Sequence, residues 1–121
     1  MPRTVLIADD SQFMRFVLKK ILEKNGFEVA ADVENGMKAV EQYKALKPDL
    51  VTMDVVMPGM DGIEATRAIV EFDSNAKVIV VSALGQQPLV NEAMEAGAKD
   101  FIVKPFQKDR VIAAVEGALK K

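Results

Sequence analysis

The sequence predicts an α/β domain in which a parallel sheet of five strands is covered by helices on both faces. Three observations carry this. Short apolar runs recur along the chain, at Thr4-Val5-Leu6-Ile7-Ala8, Leu50-Val51-Thr52-Met53, Val78-Ile79-Val80-Val81 and Phe101-Ile102-Val103. Runs of that length, with little polar interruption, are the pattern of strands buried on both sides. Segments of helical period alternate with them to the end of the chain, so each strand-helix unit implies a right-handed crossover. Finally, 121 residues suit one domain, expected to occupy residues 1–121 with none left for a second.

The elements follow in order. Residues 4–8 read as the first strand. Residues 12–25 read as a helix, with Asp10 or Ser11 as its N-cap and Asn25-Gly26 as its stop. Residues 27–32 are a less apolar strand, expected nearer an edge. Residues 36–46 form the second helix, closed by Lys47-Pro48. Residues 49–53 are the third strand, and Met57-Pro58-Gly59-Met60-Asp61-Gly62 is a loop with strong turn chemistry. Then come a helix over 63–72, a strand over 77–81 and a helix over 86–96 that ends at Ala96-Gly97-Ala98. A strand over 101–103 and a helix over 107–119 complete the pattern. Met14, Val17, Leu18, Ile21 and Leu22 make one core face of the first helix. Phe13 and Phe16 fall partly outside it, and a wide core stripe and an apolar patch beside Asp10 fit them equally. The seven methionines read as adaptable core filler.

Composition narrows the chemistry. Half the residues are hydrophobic and 28% are charged, as in an ordinary soluble globule. A net charge of −2 and a pI near 5.2 argue against a nucleic-acid or anionic-membrane partner. No apolar stretch approaches the ~20 residues that span a bilayer, and no signal peptide is visible before the first strand, so a cytoplasmic protein is expected. Cysteine and histidine are both absent. Disulfides, thiolate metal sites and cysteine nucleophiles are thereby excluded, and any chemistry must use carboxylates, hydroxyls and lysine, or borrow a histidine from a partner.

Each apolar run stops at a polar residue: Asp9-Asp10, Asp54, Ser82 and Lys104. Strands of an open parallel sheet end on one edge, and ligands bind there. Three carboxylates, a hydroxyl and an ammonium on one rim suit a divalent metal and a phosphoryl group. Mg²⁺ takes about six oxygens, commonly one or two carboxylates with waters and phosphate. Asp10 and Asp54 can supply the carboxylates, Asp9 can hold a metal-bound water, Lys104 can pair with phosphoryl oxygens as a point charge, and Ser82 can donate to another. Each residue alone has a plainer reading: Asp9-Asp10 as a helix cap, Asp54 and Ser82 as turn residues, Lys104 as a solvated charge, Phe101 as core. Their conjunction, in order along the chain, favours the site.

This pattern, together with Ser82-Ala83-Leu84-Gly85-Gln86-Gln87 and the stretch Gly97 to Phe106, resembles the receiver domain of bacterial response regulators, the single-domain chemotaxis type above all. The resemblance covers the whole chain. It implies a flavodoxin-like strand order 2-1-3-4-5 and a cis Lys104-Pro105 peptide. It also implies that Asp54 takes a phosphoryl group from a kinase phosphohistidine. Mg²⁺, for which Mn²⁺ substitutes, would be held by Asp10, Asp54 and the backbone carbonyl of Val56, with Asp9 acting through water. Ser82 and Lys104 would contact the phosphoryl group, and Phe101 would be an aromatic switch that rotates inward. The implied partners are a chemotaxis histidine kinase, a flagellar motor switch component bound across Val90 and Phe101, and a separate phosphatase. The protein itself would be a monomer and no enzyme beyond its own phosphorylation and slow dephosphorylation.

Other functions compete. A standalone receiver also serves as a phosphorelay intermediate. A Mg²⁺-dependent phosphatase of the haloacid dehalogenase type uses similar groups, but its nucleophile lies in an Asp-x-Asp motif after the first strand, whereas Asp9-Asp10 are adjacent. A flavodoxin would need a phosphate loop where Asp9 and Asp10 would repel the phosphate. Val56 and Leu84, which flank the approach of water to Asp54 in receivers, are apolar here, so slow self-dephosphorylation is expected.

Overall fold

The computed structural model describes residues 2–120. In chain order the elements are β1 (Thr4–Ala8), α1 (Gln12–Lys24), β2 (Glu28–Val33), α2 (Gly36–Leu46), β3 (Leu50–Asp54), α3 (Gly62–Phe72), β4 (Val78–Ser82), α4 (Gln87–Ala96), β5 (Asp100–Val103) and α5 (Lys108–Leu119). The five strands pair in parallel in the order β2-β1-β3-β4-β5, which is the doubly wound, flavodoxin-like arrangement that the resemblance implied.

Burial explains why the strands read as they do. Every residue of β3 and β4 is buried, and so is β1 after Thr4. β2, at one edge, alternates between exposed and half-buried positions before it ends on buried Val33. Alternate side chains reach opposite faces. Val5, Ile7, Leu50, Ile79, Val81 and Ile102 pack with Leu18 and Leu22 of α1 and Val111 and Val115 of α5. Leu6, Ala8, Val51, Met53 and Val78 pack with Ala39 and Tyr43 of α2 and Ala65 and Ile69 of α3. Val55, Val80 and Phe101 pack with Ala93 and Ala96 of α4. Truncating a fully buried leucine such as Leu22 to alanine removes on the order of 2–5 kcal/mol.

Local chemistry fixes the element ends that surround the sheet's C-terminal edge. Ser11, not Asp10, caps α1: its Oγ accepts the backbone N–H of Met14 at 3.1 Å. The Asp10 carboxylate therefore takes no part in the cap. Asp61 and Glu64 form a reciprocal capping box at the start of α3. A Cβ at Gly62 would overlap the carbonyl oxygen of Asp54, so glycine lets α3 begin directly against that strand end. β1 and β2 shift register between Val5 and Leu6, after which Ile7 faces Asp32 and Ala8 faces Val33.

Two expectations change. Asp54 and Ser82 are the last residues of β3 and β4, not the first beyond them, because pairing is a backbone property that continues through Asp54↔Val81 and Ser82↔Val103. Of the methionines, Met53 and Met57 are core, but Met37 and Met94 lie exposed on their helices.

Candidate functional site

The strand ends converge on one cluster. Carboxylate oxygens of Asp9, Asp10 and Asp54 lie within 4.8 Å of one another. Asp9 is 1% exposed and Asp54 7%, while Asp10 is open to solvent. The Lys104 ammonium enters from the β5 side, 2.8 Å from Asp9 Oδ2 and 3.5 Å from Asp54 Oδ2. The sequence-predicted carboxylates and lysine are therefore brought together.

Asp9 is held at every polar atom. Its N–H donates to the Val33 carbonyl at 3.0 Å. Its own carbonyl accepts from Arg15 Nη1 at 2.7 Å. Oδ1 accepts the Ser11 N–H at 2.9 Å and Oδ2 accepts from Lys104. Asp10 contrasts with it: among the described residues, nothing donates to its carboxylate.

Burial pushes the Asp54 carboxyl up to about 6, with the negative charge of Asp9 adding to the rise and Lys104 opposing it. Three crowded carboxylates against one ammonium leave a deficit of positive charge. The donor set is all oxygen, with no imidazole or thiolate, and thus fits a hard divalent cation such as Mg²⁺.

Ser82 is buried at the end of β4. Its Oγ accepts the Leu84 N–H at 3.1 Å, and its carbonyl accepts the Lys104 N–H at 2.8 Å. The backbone of Ser82 thus helps to fix the position of Lys104, whose peptide with Pro105 is cis. Thr52, two residues before Asp54 on the same strand face, has a buried hydroxyl without a hydrogen-bond partner among the described residues.

Several large apolar side chains lie outside the core. Val56 and Leu84 are exposed on the loops after β3 and β4. Phe13 is 71% exposed and Phe16 56%, which decides between the two readings of α1: both lie outside the core. The Lys20 ammonium lies over the Phe16 ring, 5.4 Å from its centroid. Farther along, half-buried Val90 packs against the cluster that contains Phe101. The Phe101 ring is turned inward, 8% exposed, and Arg110 of α5 donates to its carbonyl at 3.0 Å.

Arg15 and Asp32 escaped the sequence reading. Arg15 Nε donates to Asp32 Oδ1 at 2.9 Å, so one guanidinium joins β2 to the site. The one available signal was an arginine, with its forked geometry, one turn after the Asp9-Asp10 pair.

Comparison with known proteins agrees with this geometry. The response regulator receiver domain family matches residues 5–116. The chemotaxis protein CheY of Bacillus subtilis (strain 168) is 57% identical over 119 residues, covering 98% of this chain and 99% of the relative. That of Thermotoga maritima is 58% identical over 120 residues, with 99% and 100% covered. CheY in the CheX-CheY-BeF3-Mg complex of Borrelia burgdorferi superposes with a TM-score of 0.97 at 42% identity, over 100% of this chain and 92% of that one. The chain belongs to the response regulator receiver domain family, in its chemotaxis CheY-like group.

Proposed function

We propose that this protein is a phosphorylation-activated chemotaxis switch whose acceptor is Asp54. An Asp54 carboxylate oxygen attacks the phosphorus of a kinase phosphohistidine. The new O–P bond replaces the N–P bond, whose electron pair leaves with the imidazole nitrogen. The missing histidine is thus supplied by the partner. The observation that carries this reading is the placement of Asp54: nearly buried, beside Asp9 and Asp10, and 3.5 Å from the Lys104 ammonium.

Asp10, Asp54 and the Val56 carbonyl would hold Mg²⁺, with Asp9 acting through water, and Mn²⁺ would serve in its place. The ion would offset the negative charge of the carboxylates and the incoming phosphoryl group. Lys104 exchanges part of its contact with Asp9 for the phosphoryl oxygens, and Ser82 gives up the Leu84 N–H to donate to them. Those new contacts bias the β4–α4 loop, and with it Phe101 and Val90, toward a form that binds a flagellar motor switch component. A separate phosphatase ends the signal, and a cytoplasmic monomer suits this role. Phosphotransfer from a chemotaxis histidine kinase tests the proposal. Label should pass to the wild type and not to Asp54→Asn; equal transfer to both would refute it.

A further inference from the structure

We infer that Arg15 is a positioning residue that sets the Mg²⁺ affinity of the site by clamping the Asp9-Asp10 peptide to β2. The inference rests on the proposed Mg²⁺ site. The two arms of the guanidinium do different things: Nη1 donates to the Asp9 carbonyl at 2.7 Å and Nε to Asp32 Oδ1 at 2.9 Å. The side chain is 16% exposed, against 38% for Asp32.

The Asp9 carbonyl belongs to the same planar unit as the Asp10 N–H. Fixing that oxygen therefore fixes the plane from which Asp10 departs. The preceding peptide is fixed as well, by Asp9 N–H to Val33 O at 3.0 Å. Both peptides of Asp9 are tied to β2, one directly and one through Arg15 and Asp32. This matters most for Asp10. Its carboxylate is exposed and receives no hydrogen bond among the described residues, so its aim depends on its backbone. The register shift between β1 and β2 places Val33 beside Ala8 and Asp32 beside Ile7, which puts both anchors within reach.

Charge alone predicts the opposite effect. Arg15 is a cation near a cation site, so removing it should tighten Mg²⁺ binding if Coulomb repulsion governs. A merely structural tie would lower the melting temperature and leave affinity unchanged. Loss of a clamp should weaken Mg²⁺ binding, and groups that orient metal ligands typically change affinity by 10-fold or more.

The test is a Mg²⁺ titration followed by backbone amide shifts of residues near Asp10 and Asp54, with melting temperature in chelator recorded in parallel. It uses the wild type, Arg15→Ala, Arg15→Lys and Asp32→Ala. The expected result is a Kd raised about tenfold in Arg15→Ala, and raised by a smaller factor in Arg15→Lys, whose compact ammonium lacks the fixed fork of the guanidinium, and in Asp32→Ala. If Arg15→Ala fails to fold, the other two variants decide by the same criterion. Unchanged or tighter binding in the variants, or a wild-type Kd in Arg15→Lys, overturns the inference and leaves the proposed function standing. A wild type that does not bind Mg²⁺ near Asp54 overturns both.

Discussion

Lys104 sits closer to Asp9 than to Asp54, at 2.8 Å against 3.5 Å. The ammonium that would meet the phosphoryl group is thus held chiefly by a carboxylate other than the proposed acceptor. Asp9, at 1% exposure, depends on that contact, because burying a charge without a partner is costly. A divalent cation near Asp9 would take over part of the same task.

This exchange predicts how Lys104→Ala behaves. In chelator, the variant should lose about 2 kcal/mol of stability, the scale of a hydrogen bond to a charged group. In millimolar Mg²⁺, the loss should shrink, because the ion binds more tightly once the competing ammonium is gone. Urea denaturation under both conditions reads this out. A deficit that is the same with and without Mg²⁺ would contradict the exchange.

Asp54 predicts a pH dependence. Its carboxyl titrates near 6 in the fold and near 3.9 in the unfolded chain, so the folded state binds the extra proton. Its contribution to stability is therefore fully present below about pH 4 and is lost as pH rises through about 6. Without metal, wild-type stability should fall across that window relative to Asp54→Asn. At pH 7 the asparagine variant should be the more stable by up to about 3 kcal/mol, at about 1.4 kcal/mol per unit. Urea denaturation between pH 4.5 and 7.5 checks the sign.

How much of this was legible differs by element. β1, β3 and β4 were readable because burial on both faces leaves uninterrupted apolar runs. Their order in the sheet was not, because periodicity marks strands without saying which are neighbours; the resemblance supplied it. Ser11 and Asp10 are both good caps, and only the Met14 N–H to Ser11 contact separates them. The candidate acids, Ser82 and Lys104 were legible because each stands where an apolar run stops. Arg15 was missed for the same reason that order was: its meaning depends on β2 lying beside β1, which brings Asp32 within 2.9 Å. Phe13 and Phe16 could not be placed until α1 was rotated onto its core face.

On the proposed function, Val56 and Leu84 would govern the lifetime of the phosphorylated state. Both are exposed on the loops after β3 and β4, and neither side chain can hydrogen-bond an attacking water. Single-turnover decay should be slow in the wild type and roughly tenfold faster in Val56→Asn with Leu84→Glu, a barrier change of about 1.4 kcal/mol. Decay that is unchanged there but slower in Gln86→Ala with Gln87→Ala would assign water positioning to the glutamines.

The α4–β5–α5 face should respond to phosphorylation. A motor switch peptide is expected to shift amides near Val90, Phe101 and the adjoining side of α5. Phosphorylation should tighten it by about 1–3 kcal/mol, or 5- to 150-fold. Shifts that cluster on α2 instead would move the output surface elsewhere.

The central claim is that Asp54 is the acceptor, and intact mass after incubation with acetyl phosphate and Mg²⁺ tests it most directly. The wild type should gain the mass of one phosphoryl group, chelator should abolish the gain, and Asp54→Asn should show none at that site. No gain in the wild type, or a wild-type phosphoryl group that peptide analysis maps to a residue other than Asp54, would contradict the account.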